Sequence, residues 1–234
     1  MSLNTNDGSK VYTPLSLSLY DWWVLKISNN YAWHCNTDKF LIPHFKFHLG
    51  NNHMDIGVGT GFYLKKSADK INKITLSDLN VHSLECAKKY ISDEKLNSCL
   101  CHDIFNRFTD ELRGVFDSVS IFYLLHCLPG KMSDKKQAII NITETLKDDG
   151  ILYGATILGE GVKHNRFGSK LMSVYNKKGI FSNVYDSADS LETMLSSLFE
   201  DVSVNIQGTV ALFTAKNKNQ FQHQYPYGCY QDEI

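Results

Sequence analysis

The stretch His53-Met54-Asp55-Ile56-Gly57-Val58-Gly59-Thr60-Gly61-Phe62-Tyr63-Leu64 decides the fold. It reads as the end of a buried strand, a glycine turn and the first turn of a helix. Gly57, Gly59 and Gly61 alternate, so the backbone is free to take positive φ and a ligand can approach without meeting a Cβ. A helix that starts at about Gly61 aims free N–H groups and the positive end of its dipole into the turn. Asp55 puts a carboxylate beside the same turn. A dinucleotide fingerprint G-x-G-x-x-G requires glycine at position 62, where Phe62 stands. A pyrophosphate gains nothing from an acid in this turn, whereas an ammonium group does.

The run Ile74-Thr75-Leu76-Ser77-Asp78-Leu79-Asn80 is a short strand ending in Asp78. A carboxylate at the tip of a second strand accepts two hydroxyl donors at once, as a ribose diol requires; the competing role is a cap on the next helix. The pattern D-x-G-x-G-x-G over Asp55 to Gly61, with Asp78 after it, resembles motif I of the class I S-adenosylmethionine (SAM) methyltransferases. The resemblance implies a Rossmann-like α/β fold with a seven-stranded sheet, mostly parallel, closed by an antiparallel C-terminal hairpin and covered by a helical lid. It implies SAM as cofactor, held by Asp55, Gly57, Gly59, Thr60 and Gly61 at one end and by Asp78, Leu79 and Asn80 at the ribose. Asp103 then matches the family's acid that accepts from the adenine amino group, with Ile104 and Phe105 flanking the ring.

Composition bounds the alternatives. The chain has 234 residues, enough for one large domain, and a formal net charge of −1 from 24 basic and 25 acidic residues. With no sizeable basic run, neither a nucleic-acid partner nor an anionic membrane surface is expected. No apolar run is long enough to span a bilayer, and the polar start Met1 to Asp7 lacks a signal-peptide core. Cys35, Cys86, Cys99, Cys101, Cys127 and Cys229 contain no C-x-x-C pair and read as reduced, buried thiols of a cytoplasmic protein.

In chain order, residues 1–12 form a polar leader and Thr13-Pro14 a helix start. Leu15 to Ser28 is apolar all round, Asn29-Asn30 breaks it, and a second helix starts at Asn36-Thr37-Asp38 with a kink expected at Pro43. Residues 1–48 therefore read as leader and helical cover. His44 and His48, four apart, lack a zincin's intervening glutamate and a third ligand, so no metal site is expected. Strand and helix then alternate, as in a parallel sheet. The helix after Asp78 puts Val81, Leu84, Ala87, Tyr90 and Ile91 on one face. Cys99 to His102 is the third strand, its two thiols read as core packing. Val115 to Phe122 is the fourth strand, followed by a helix capped at Ser133 with Ile139, Ile142 and Leu146 inward. Gly150 to Ile157 is the fifth strand, 158–186 a lid insertion, and Ser190 to Phe199 an amphipathic helix. Val202 to Ile206 and Thr209 to Ala215 make the closing hairpin about Gln207-Gly208. The methyltransferase domain spans 49–216 and the tail 217–234.

In the family, the loop from Tyr123 to Gly130 faces the sulfonium and the incoming acceptor. Together with Asn176 to Asn183, it is similar to a group of microbial and fungal small-molecule enzymes related to the type-12 methyltransferase domain. The expected activity is methyl transfer to a small metabolite with an apolar or aromatic body, on O, N or C, by a monomer or homodimer. His126 is the candidate general base, set against a loop histidine that is merely hydrogen-bonded; Tyr123 and Tyr20 are candidates to orient substrate or the methionine end. Two rivals come from other classes. A nicotinamide oxidoreductase is opposed by Phe62 and the terminal hairpin; a catalytically silent SAM-binding regulator or partner subunit is disfavoured by an intact motif I under an aromatic-rich cover.

Overall fold

The computed structural model describes residues 22–219. Tyr20 and the Thr13-Pro14 helix start lie outside them. Two helices with wide, π-type turns, α1 (Trp22–Ala32) and α2 (Thr37–Leu41), lead into α3 (Ile42–His48). Then follow β1 (Asn52–Ile56), α4 (Phe62–Ser67), β2 (Lys73–Asp78), α5 (Val81–Lys88), β3 (Leu96–Cys101), β4 (Phe116–Phe122) and α6 (Met132–Thr145). The chain closes with β5 (Leu146–Ile157), α7 (Arg166–Lys177), α8 (Ala188–Ser196), β6 (Phe199–Gln207) and β7 (Val210–Lys218).

The strands form one seven-stranded sheet in the order β3-β2-β1-β4-β5-β7-β6. β1 pairs in parallel with β2 and β4, β2 with β3, and β4 with β5; β7 runs antiparallel to β5 and β6. This is the class I methyltransferase sheet, C-terminal hairpin included. The central strands β1 and β4 are buried on both faces, although polar residues alternate with apolar ones along them. Met54, Ile56, Val119 and Ile121 pack on one side with Ile139 and Ile142 of α6 and Leu195 of α8; Leu76, Tyr153 and Val210 pack on the other with Phe45 of α3 and Leu64 of α4.

Several local expectations change. Asn29 and Asn30 do not interrupt α1; Asn29 is wholly buried within it, its Nδ2 donating to Thr37 Oγ1 at 2.8 Å. Pro43 lies in the first turn of α3, where its missing N–H costs no bond, so it starts a helix. Val81 and Tyr90 are exposed, because α5 buries only the Leu84–Ala87 stripe with Ile91 after it. Leu146 opens β5, and α6 is capped at Lys131, whose N–H donates to Asp134 at 2.8 Å. Cys99 and Cys101 are exposed, since β3 is an edge strand whose alternate residues face solvent.

Sequence reading also missed a buried ion pair. Lys135 of α6 donates to Asp186 at 2.6 Å and to the Ser182 carbonyl at 2.8 Å, both charged side chains almost fully enclosed. It fastens the end of the 158–186 segment to the sheet's helical layer. Lys135→Ala should cost about 3–5 kcal/mol of stability by stranding the Asp186 charge, and Lys135→Met with Asp186→Leu should recover most of it. Urea unfolding of the three proteins measures both.

Candidate active site

The turn after β1 is built as its glycines require. Gly57, Gly59 and Gly61 have φ of 72°, 53° and 76°, and Gly57 N–H continues the β1–β2 ladder to Ser77 O at 2.8 Å. Their roles differ. A Cβ on Gly61 would stand 2.6 Å from Ala87 Cα, so this glycine lets α4 pack on α5; one on Gly57 would press on Leu124 at 3.1 Å. One on Gly59 would meet nothing within 4 Å. Gly59 thus opens onto free space above the turn, a cradle that suits a cofactor.

Two carboxylates converge on that space. Asp55 is buried, accepts from Ser120 Oγ, and is pushed up to about 7 by desolvation, with the nearby Asp78 charge adding to it. A cationic group beside it would restore its charge. Asp78 accepts from Gly59 N–H at 3.3 Å and Asn80 N–H at 2.8 Å. Burial raises its carboxyl while those bonds oppose the rise. The cap of α5 is Asn80, whose Oδ1 accepts from His82 N–H at 2.9 Å. Asp78 is therefore not needed as the cap. Thr60 and Leu79 are half-buried on the same rim, the Leu79 carbonyl facing Cys101 Sγ at 3.5 Å.

Asp103, just beyond β3, folds back to accept from Phe105 N–H at 3.0 Å. The adjacent Ile104 is buried and its carbonyl is held by Asn141 Nδ2 at 2.8 Å, which fixes the loop; Phe105 packs at the edge of the core.

The loop after β4 carries the candidates for chemistry. Tyr123 sits at φ 57°, a left-handed conformation that a bulky residue takes only when its surroundings impose it. Its N–H donates to Ala155 O at 2.8 Å and its hydroxyl to Asn29 Oδ1 at 2.8 Å, tying the loop to α1. Desolvation holds that phenol well above its ordinary value. Asn29 is a second residue missed in sequence; a polar side chain inside an all-apolar helical run was its signal. His126 is buried against Phe181, ring centroids 4.5 Å apart. Its Nδ1 accepts from Ile157 N–H at 3.2 Å, so its proton sits on Nε2, and burial lowers the imidazole to about 3. In that arrangement neither ring nitrogen presents a free lone pair. The His44 and His48 rings meet edge to face with centroids 4.9 Å apart, His44 Nε2 lies 3.1 Å from the Phe213 carbonyl, and among the described residues no cluster is arranged to hold a metal.

Comparison with known proteins places the chain among methyltransferases. A family model described as a methyltransferase domain matches residues 54–152. The physcion biosynthesis cluster O-methyltransferase of Aspergillus chevalieri is 40% identical over 212 residues, 90% of this chain and 95% of that one. The putative uncharacterized protein YbcY of Escherichia coli K12 is 52% identical over 192 residues, 82% of this chain and 98% of that one. Among solved structures, N-methyltransferase NodS of Bradyrhizobium japonicum with S-adenosyl-L-homocysteine (SAH) superposes with a TM-score of 0.59 at 16% identity, covering 87% of this chain and 97% of that one.

Three variants separate the roles of these residues. Gly59→Val should abolish SAM binding while the protein still folds, whereas Gly61→Val should chiefly lower stability. Asp78→Ala should weaken SAM by about 1.5–3 kcal/mol, the scale of hydrogen bonds to a charged group, as calorimetry would show. Stability should also depend on pH. His53 and His126 are held down to about 3 against an ordinary 6.5, in each case chiefly by burial. Between those values the unfolded chain binds more protons than the folded one. Their contribution is fully present above 6.5 and is lost as pH falls toward 3. Urea midpoints that rise through this window and then level off are the expected result.

Proposed function

The chain belongs to the class I SAM-dependent methyltransferases, and from that premise we propose that it methylates a small molecule with an apolar or aromatic body, on O, N or C. The observation that carries this reading is the closure of the loop after β4 by the segment after β5. Ser182 N–H donates to the His126 carbonyl at 2.8 Å and Gly130 N–H to Ser182 Oγ at 3.1 Å. Phe181 lies between the His126 and Tyr175 rings, so aromatic surface borders this loop. Kinship along nearly the whole chain with an O-methyltransferase of a biosynthetic cluster supports a metabolite acceptor. In this reading residues 1–48 and 158–186 are cover and lid over domain 49–216, with 217–234 a tail, and the protein works in the cytoplasm as a monomer or homodimer. No helix among the described residues is long and apolar enough to cross a membrane.

When bound, SAM supplies an electrophilic methyl group on a sulfonium that is already a good leaving group. The protein's work is to hold, align and keep dry. Asp55 faces the ammonium group, with Gly57, Gly59, Thr60 and Gly61 shaping the turn and Tyr20 assigned to the same methionine end. Asp78, Leu79 and Asn80 hold the ribose; Asp103, Ile104 and Phe105 hold the adenine. Tyr123 is fixed by Asn29 and borders the acceptor. His126 orients the loop through its Nδ1 bond to Ile157 and takes no proton.

Tritiated SAM offered with phenols, aromatic amines and a host metabolite extract should label a small molecule. Label found only in protein or nucleic acid, or none from the whole panel, overturns the reading. In the same assay His126→Asn, which keeps an acceptor for Ile157, should lower kcat less than about tenfold, whereas loss of a true base costs about 10²–10⁴. A larger fall, with SAM affinity intact, restores His126 as the base.

A further inference from the structure

A line of buried polar side chains crosses the apolar face of the sheet beneath the glycine turn and ends on Asp55. His53 and Asp55 stand two apart on β1 and share a face. In register with β4, His53 lies beside Ser118 and Asp55 beside Ser120. His53, Ser118 and Ser120 are 0% exposed and Asp55 5%. The imidazole is flanked by the rings of Phe45 and Tyr153, centroids 5.8 and 5.9 Å away. Burying polar groups here costs free energy that apolar residues of similar volume would avoid, so packing alone does not account for four in a row.

The bonds form a sequence. Gly50 N–H donates to Ser118 Oγ at 2.8 Å, and Ser118 Oγ lies 2.7 Å from His53 Nδ1. His53 Nε2 is 3.0 Å from Ser120 Oγ, and Ser120 donates to Asp55 Oδ1. A serine hydroxyl has one proton to give. With that of Ser120 spent on the Asp55 carboxylate, Nε2–H must donate to Ser120, and Nδ1 accepts from the Ser118 hydroxyl. The opposite polarity is equally well provided for. A protonated Asp55 donates to Ser120, Ser120 donates to Nε2, and the proton on Nδ1 finds the Ser118 carbonyl at 3.1 Å. Ionising Asp55 removes one proton from the chain, and the imidazole's own proton is on Nδ1 before and on Nε2 after.

We propose that His53 is a positioning residue whose tautomer follows the charge of Asp55, keeping that buried carboxyl hydrogen-bonded whether or not a cationic group lies beside it. The proposal rests on the reading that Asp55 faces the cofactor's ammonium. The titratable and polar groups turned toward Asp55 are Asp78 at the tip of β2, Ser120 of β4 and Tyr153 of β5. Asp78 disfavours a second charge, and the Tyr153 phenol, held well above its ordinary value by burial, stays neutral and adds no charge. Without ligand, the neutral acid avoids an unpaired buried charge. With an ammonium group present, the anion is favoured. A bond network of a single polarity would leave Asp55 badly paired in one of the two states, and the bistable imidazole removes that conflict.

The test is nitrogen-15 NMR of the imidazoles in the full chain, with SAH as probe and His53 assigned through His53→Gln. Without ligand, below the Asp55 midpoint of about 7, His53 should carry its proton on Nδ1; with SAH bound it should carry it on Nε2. Ser120→Ala should uncouple the tautomer from the ligand and weaken SAH roughly tenfold, the scale of one hydrogen bond to a charged group. It should leave 5′-methylthioadenosine, which lacks the amino-acid end, bound as before. The same tautomer in both states of the parent overturns the proposal, even where Asp55→Asn weakens SAH. Asp55→Asn that binds SAH as the parent does overturns the reading of Asp55, and the proposal with it.

Discussion

The site depends on the parallel pairing of β1 with β4. Strands β1, β2 and β3 step outward in one direction, and β4 and β5 in the other, so the sheet order reverses between β1 and β4. Crossover helices leave that boundary on opposite faces, and a crevice opens at the carboxyl ends of the strands, where ligands bind in open α/β sheets. The glycine turn, Asp78, Asp103 and Tyr123 all emerge at strand ends along that edge. The same register stacks Asp55 on Ser120 and His53 on Ser118, so one pairing sets both the mouth of the site and the polar line beneath it.

A few nonlocal bonds gather the outer segments around the loop after β4. Asn29 of α1 takes the Tyr123 hydroxyl, and Asn165 Nδ2, at the start of α7, donates to the Tyr31 carbonyl at 2.7 Å. Gly159 approaches the Asn183 carbonyl so closely that a Cβ would stand 1.9 Å from it, while Lys135 holds Asp186 beneath. The helices before β1 and the segment after β5 are thus tied to the loop after β4 from both sides. Trp33 and Phe181, wholly or nearly buried in this junction, are packing residues before they are anything else.

The legible part of this molecule was the local part. Alternating glycines, an acid at a strand tip and a hairpin about Gln207-Gly208 are short-range patterns with one backbone solution each. Alternation of strand and helix pointed to a parallel sheet, its closing hairpin matched the methyltransferase resemblance, and Asn80 rather than Asp78 supplies the helix cap. The misread residues were those whose meaning depends on a distant partner. Asn29 looked like a helix breaker because Tyr123, which donates to it, is remote in sequence, and Thr37, which it donates to, lies on the next helix. Cys99 and Cys101 looked like core because periodicity does not tell an edge strand from a central one. Lys135 and Asp186 lie 51 residues apart and meet only through the packing of α6 against the segment after β5. The role of His126 turns on a similar nonlocal bond, from Ile157 N–H of β5 to its Nδ1.

Methyl transfer sets a hazard that this loop answers. An electrophilic methyl group will react with any good nucleophile placed near it, and the segment from Tyr123 to Cys127 offers a phenol, an imidazole and a thiol. The phenol and the thiol are held protonated, and the imidazole's lone pair is engaged by a backbone N–H. Burial pushes the Cys127 thiol up to about 12, so it stays protonated, and its Sγ faces the Tyr123 carbonyl at 3.6 Å. Tyr123 remains a phenol bonded to Asn29. His126 presents a lone pair already occupied by Ile157 N–H and a proton on its other nitrogen. Desolvation, which strengthens alignment by excluding water, is the same term that keeps these groups neutral. In the proposed reading, a dry loop does two things at once: it directs the methyl group to the acceptor and withholds it from the protein.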